Sequence, residues 1–275
     1  MQNLFQQPNW RFIDQSTSFL DVSPLQSFAM DDTLCHANGH DLSNPTVRTW
    51  IHNESVVLGI QDHRLPSIDT ATQFLLTSGF APIVRNSGGL AVVLDPGVLN
   101  VSLVFKDADR ISIDTAFEYM VELIKRLLPE LAERIEVYEI VSSYCPGAYD
   151  LSIGGQKFAG ISQRRMQNGI AVQIYLCVEG SGSDRAELIR QFYDIGLQGG
   201  EPKYTYPNVR PEVMASLQQL SGDQSLTAAI LNERLKAVIA SFADTVTHNE
   251  LAGEELALYE RYTERIFARN ASLLK

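Results

Sequence analysis

Apolar and polar residues change their spacing along this chain, and each change marks a predicted element. Residues 10–15, "WRFIDQ", read as a short strand. Residues 24–39, "PLQSFAMDDTLCHANG", read as a helix capped by Ser27, with Phe28, Met30 and Leu34 as its apolar stripe and Gly39 as its end. Two β-branched and aromatic runs, 48–52 and 55–60, predict a hairpin-like pair. Residues 67–79 predict an amphipathic helix, and 82–85 a strand running into "NSGG". "LAVVL" and "VLNVSLVF" follow as two strands joined by the turn "DPG". A helix at about 114–134, interrupted by Pro129, precedes four strands at 135–141, 149–153, 156–165 and 170–178. Residues 182–194 are again helical in pattern.

From about residue 207 three helical patterns with charged outer faces take over. The predicted fold class is α+β, with mixed, largely antiparallel sheets flanked by helices and a helical C-terminal part. The expected division is a core at 1–206 and a helical extension at 207–275 packed on it.

Composition narrows the function classes. At 275 residues and 45% hydrophobic, the chain is long enough to bury a sizeable core. A formal charge of −11 argues against non-specific nucleic-acid binding, which needs a basic face. Cys35, Cys145 and Cys177 are an odd number without a CxxC pair, which fits neither a disulfide framework nor a zinc site and implies a reducing, cytoplasmic setting. The first segment, "MQNLFQQPNWRFIDQ", has no basic start and no apolar run and so does not read as a signal peptide, and no apolar run approaches the length expected of a membrane-spanning helix.

Two segments carry candidate chemistry. In "RNSGGLAVVLDPGVLNVS" (85–102), adjacent Gly88 and Gly89 let a backbone approach a ligand, with Arg85 before them and Asn100 beyond. In "SYCPGAYDLSIGGQKFAGISQRR" (143–165), Cys145 stands on a loop twelve residues before Lys157, and the intervening hairpin would fold the lysine back. A nearby ammonium stabilises a thiolate, the form a cysteine nucleophile needs. From the residues alone, a catalytic pair and a small buried cysteine beside an exposed lysine both remain open. Cys35 on its helix and Cys177 on the more polar face of its strand read as structural. The five histidines include no HExxH, and His52 and His63 read as surface or supporting residues. Asp31 and Asp32 read as solvated or capping carboxylates.

At these segments the chain resembles the biotin/lipoate protein ligase and octanoyltransferase superfamily, and within it the octanoyl-[H protein]:protein N-octanoyltransferases. The superfamily's Arg-Arg-x-Ser-Gly-Gly-Gly loop corresponds to Arg85-Asn86-Ser87-Gly88-Gly89-Leu90, followed by Leu94-Asp95 and Asn100. Its Gly-x-Lys-x-x-Gly segment corresponds to Gly155-Gln156-Lys157-Phe158-Ala159-Gly160. Asn86, Leu90 and Leu94 depart from the pattern, and the lost positive charge weakens an ATP-dependent reading.

The resemblance implies a ligase-like catalytic domain that works without a nucleotide cofactor or metal. It implies an octanoyl group moving from a lysine of the glycine-cleavage H protein to lysines on lipoyl domains of 2-oxoacid dehydrogenase complexes. Cys145 would carry the acyl group as a thioester and Lys157 would assist. Arg85, Ser87, Gly88, Gly89, Asn100 and Gly160 would bind substrate. Residues from "LAVVL" and "FAGIS" would line an acyl slot, and Arg164 and Arg165 would contribute a basic docking patch. The alternatives are octanoyl transfer from acyl carrier protein to the H protein, ATP-dependent lipoate ligation, and a non-catalytic lipoyl-domain-binding module.

Overall fold

The computed structural model describes residues 4–108 and 110–273, with backbone alone at 272 and 273. A large sheet of eight strands and a small one of three face each other. The large sheet contains β1 (Asn9–Gln15), β2 (Thr46–Trp50), β6 (Val98–Lys106), β7 (Glu136–Val137), β8 (Leu151–Ile153), β9 (Gln156–Met166), β10 (Gly169–Cys177) and β11 (Thr245–Thr247). Its spatial order is β11-β1-β2-β6-β10-β9-β8-β7, with β1 parallel to both neighbours and every later pairing antiparallel. The small sheet is β4 (Ala81–Val84), β3 (Ser55–Leu58) and β5 (Val92–Leu94), in that order. The helices are α1 (Pro24–Gly39), α2 (Ile68–Thr77), α3 (Ile113–Leu127), α4 (Gly182–Gly196), α5 (Leu217–Ser221), α6 (Ala228–Ala240) and α7 (Glu254–Leu273).

Strand β10 shows how alternation builds the layers. Val172, Ile174, Leu176 and Val178 enter one core with Met120, Leu123 and Ile124 of α3 and Leu231 and Leu235 of α6. Tyr175 and Cys177, on the opposite face, enter a second core that includes β3, β5, α2 and α4. The face expected to be more polar is therefore covered, and Cys177 is fully buried.

Several expectations need correction. The cap of α1 is Ser23, whose hydroxyl accepts the Leu25 N–H; Ser27 lies inside the helix and bonds Arg48 and His52. The runs 48–52 and 55–60 do not form a hairpin. Strands β2 and β3 are each central in a different sheet, so both edges of each are already paired. Helix α3 stops before Pro129, which disfavours helical backbone in the residue preceding it. Only Glu136–Val137 of the 135–141 run is paired. The run from 207 to 220 is mostly irregular, broken by Pro207 and Pro211 and reaching only the five-residue α5. Strand β11 had no forecast.

Candidate active site

Cys145 lies in the turn between β7 and β8 with a backbone φ of +45°. A side chain in that left-handed region costs about 1–2 kcal/mol, so the surrounding contacts must hold it there. Lys157 of β9 supplies that hold. Its Nζ is fully buried and lies 3.2 Å from Ser143 Oγ, 3.0 Å from the Tyr144 carbonyl, 2.9 Å from the Cys145 carbonyl and 2.9 Å from Asp150 Oδ1. Four acceptors more than occupy the three N–H bonds of an ammonium. The lysine does fold back to the cysteine, but its bonds go to two backbone carbonyls, the Ser143 hydroxyl and the Asp150 carboxylate rather than to the sulfur. Asp150 completes the turn by accepting the Ile140 and Gly147 N–H groups, each at 3.2 Å. Burial pushes the Asp150 carboxyl above its ordinary range, and the Lys157 charge offsets part of that shift.

The sulfur faces the glycine loop. Sγ accepts the Leu90 N–H at 3.1 Å and an Arg85 Nη2 hydrogen at 3.3 Å, while Nη2 also donates to the Leu90 carbonyl at 2.7 Å. Gly89, at φ +108°, makes this approach possible: a Cβ there would stand 2.1 Å from Arg85 Nη2 and 3.0 Å from Sγ. Gly88 has open space where its Cβ would be. Ser87 is buried and its hydroxyl has no partner among the described residues. Asp62 braces the loop from behind, accepting the Gly59 N–H at 2.7 Å and the Tyr193 hydroxyl at 2.9 Å, and Tyr193 accepts the Ala91 N–H. Burial pushes the Asp62 carboxyl up to about 6.

Beside Cys145 opens a cleft of about 500 Å³, a volume that includes the open solvent at its mouth. Its floor is one row across four strands: Gly160 on β9 opposes Tyr175 on β10, Tyr175 opposes Asn100 on β6, and Asn100 opposes Trp50 on β2. Gly160 leaves room for the Tyr175 ring, which a Cβ would meet at 2.6 Å. Val57, Val92 and Leu94 of the small sheet face this row, and Phe28 of α1 joins the lining.

The expected residues therefore divide. Cys145, Lys157, Arg85 and Gly89 meet at one centre, and Ser87 lies buried on the same loop. Asn100 and Gly160 lie in the cleft floor, and Gly88 sits on the exposed loop. Residues from "LAVVL" and "FAGIS" do line the cleft. The arginine patch is not free: Arg164 pairs with Asp32 at 2.9 Å, and Arg165 bonds Asp107, the Ile111 carbonyl and the Ser112 carbonyl. Asp31 and Asp32 are buried rather than solvated, and His52 is buried against Ser27. Asp150, Asp62, Phe28, Trp50 and Tyr175 escaped sequence reasoning. Of these only Asp150 had a signal, since a buried Lys157 needs a nearby carboxylate.

Comparison with known proteins agrees with this geometry. Residues 23–240 match the lipoyl protein ligase A/B catalytic domain. The chain is 55% identical to the octanoyl-[GcvH]:protein N-octanoyltransferase of Lysinibacillus sphaericus, over 100% of this chain and 99% of that one. It is 50% identical to the lipoyl-[GcvH]:protein N-lipoyltransferase of Listeria monocytogenes, over 98% of both. A solved lipoate-protein ligase A bound with ATP shares the fold, with a TM-score of 0.69 at 16% identity over 94% of this chain and 95% of that one. The chain belongs to the lipoyl protein ligase A/B catalytic-domain family. Within that family it is an acyltransferase, and no described helix is long and apolar enough to cross a membrane.

Proposed function

We propose that this protein transfers an octanoyl group, in the cytoplasm, from a lysine of the glycine-cleavage H protein to lysines of lipoyl domains of 2-oxoacid dehydrogenase complexes, through a thioester on Cys145. The observation that carries the reading is the sulfur itself, held on the lining of a largely apolar cleft by two N–H donors. The sulfur attacks the octanoyl amide carbon. The C–N bond breaks, the lysine amine departs with the proton the thiol gave up, and the acyl group remains on sulfur. An acceptor lysine amine then attacks the thioester, an amide forms again, and the proton returns to the thiol. Amide is exchanged for amide, so the net reaction is near balance and needs no ATP.

In this mechanism Lys157 is a positioning residue, fixing the left-handed turn through the Cys145 carbonyl. The Leu90 N–H and Arg85 Nη2 are the donors at hand for the oxyanion that develops beside the sulfur. Ser87, Gly88 and Gly89 shape the loop around the incoming amide, and Asn100 and Gly160 floor the acyl slot.

Intact-protein mass spectrometry after mixing with octanoyl-H protein, without ATP, tests the proposal. An octanoyl adduct on the wild type and none on Cys145→Ala is expected. Full transfer by Cys145→Ala overturns it. A lipoyl group in place of octanoyl is the second reading, favoured by the 50% identity to a relative named for lipoyl transfer. Lipoyl-H protein run in parallel distinguishes the two.

A further inference from the structure

Helix α7 carries one buried stripe along its length. Glu255, Tyr262, Ile266 and Asn270 recur at helical spacing on one face, and all four are out of water. Glu255 fixes the start of the helix by accepting two bonds from Arg11 of β1, at 2.9 and 2.7 Å. Tyr262 fixes the middle, its hydroxyl 2.9 Å from His36 Nδ1 of α1. Asn270 closes the stripe at a position where packing calls for an apolar side chain. A carboxamide buried there is costly unless both its oxygen and its amide hydrogens are bonded.

Asn270 finds those bonds on a strand. Val84 is the last residue of β4, an edge strand of the small sheet. Arg85, next in the chain, turns its N–H inward to the Leu58 carbonyl at 3.0 Å. Successive residues of a strand alternate, so Val84 turns its own N–H and carbonyl the other way. Asn270 takes both: Oδ1 accepts the Val84 N–H at 3.2 Å, and Nδ2 donates to the Val84 carbonyl. A helix side chain thus bonds the strand edge as a neighbouring strand would.

This clamp has a counterpart at the other end of the glycine loop. Two donors hold the Cys145 sulfur, Arg85 Nη2 and the Leu90 N–H. Each belongs to a residue whose chain neighbour is pinned. Ala91, beside Leu90, donates its N–H to Tyr193, and Val84, beside Arg85, is held by Asn270. Gly88 and Gly89 between them add little stiffness of their own. Releasing either end would let a donor drift from the sulfur, and a misplacement of about 1 Å costs about a hundredfold in rate.

We propose that Asn270 is a positioning residue for acyl transfer, through which α7 sets the Arg85 guanidinium against the Cys145 sulfur. This rests on the acyl-transfer reading above. It gives the C-terminal helix a part in the chemistry, although none of its described residues lines the cleft.

The test is a double-variant cycle of Asn270→Ala and Arg85→Met in the full chain, read in two ways. One reading is single-turnover thioester formation on Cys145 from octanoyl-H protein. The other is alkylation of Cys145 by iodoacetamide at neutral pH, which needs no acyl donor. Arg85→Met is expected to slow thioester formation about a hundredfold. Asn270→Ala is expected to slow it about tenfold. Its half-saturating concentration of octanoyl-H protein should stay within about twofold of wild type, because Asn270 is buried beyond a protein substrate's reach. The double variant should be no more than about twofold slower than Arg85→Met alone, since Asn270 acts through Arg85. Alkylation should follow the same pattern, slower in each single variant and no slower in the double than in Arg85→Met.

A merely structural Asn270 would give losses that multiply. Multiplying losses in either reading overturn the clamp, and so does an Asn270→Ala rate equal to wild type. If Asn270→Ala does not fold, Asn270→Asp keeps the size and the acceptor, loses the donor and carries the same expectation. A wild type that forms no thioester sinks the acyl-transfer reading, and the alkylation cycle then decides the clamp by itself.

Discussion

Two buried ion pairs stand beside the cleft, one next to Trp50 and one next to Cys145, and they are used differently. Beside Trp50, Arg48 and Asp31 bind mainly side chains, and the beneficiary is the Trp50 ring. At the cysteine Lys157 and Asp150 bind mainly backbone, and the beneficiary is a turn that would not hold its shape unaided. Neither pair earns its place by stability, because desolvating two charges consumes most of their attraction. What each provides is position, for an aromatic ring in one case and for a sulfur in the other.

The largest test of that comparison removes one cation from each end. Lys157→Met and Arg48→Met each strand a buried carboxylate and should each cost about 3–5 kcal/mol in denaturant unfolding. Their effects on chemistry should separate. At a temperature where both remain folded, Lys157→Met should slow thioester formation about a hundredfold, because a displaced turn misplaces the nucleophile. Arg48→Met, which leaves the cysteine turn and its bonds in place, should keep octanoyl thioester formation within about tenfold. Equal losses of acylation in the two variants would erase the distinction.

The next test uses pH. His52 stands 5.5 Å from the Trp50 ring, and burial lowers its pKa to about 4 from 6.5. Its contribution to stability is complete above pH 6.5 and is lost as pH falls towards 4. Asp62, behind the glycine loop, has its pKa raised from 3.8 to about 6, again by burial first. Its contribution is complete below pH 3.8 and is lost as pH rises through 6. Each is worth about 3 kcal/mol, with opposite slopes across the same window. Relative to wild type, Asp62→Asn should therefore gain stability as pH rises from about 4 to 6. His52→Asn should lose relative stability over the same range. Denaturant midpoints at pH 4, 5 and 6 measure both, and parallel curves for all three proteins would refute the assignment.

How much of this was legible in the sequence follows from how local each feature is. Cys145, Arg85, Gly89 and Lys157 stand in short segments whose glycines, turn residues and spacing carry information, and these segments do converge. The cleft floor was invisible for a physical reason. Trp50, Asn100, Tyr175 and Gly160 share a row only through the register of four strands drawn from across the chain. Asp31 and Asp32 misled because adjacent carboxylates on a helix ordinarily face water. Helix α1 is instead buried almost all round, between the large sheet and α7, and its polar residues find partners there. Strand β11 is three residues of Thr-Val-Thr, too short for any periodicity to register.

The smallest effect tests whether the cysteine turn is strained at all. Glycine normally destabilises a strand or helix relative to alanine, but at a left-handed position the order reverses. Cys145→Gly should therefore unfold about 1 kcal/mol harder than Cys145→Ala, although neither carries a thiol. Cys177 supplies the control, since it sits on β10, where the backbone is ordinary extended strand. There Cys177→Gly should be the weaker of the pair by about 1 kcal/mol or more. If alanine is the more stable choice at both sites, the turn is not held against its preference. The buried contacts of Lys157 would then be ordinary turn bonds, with no strain for them to hold.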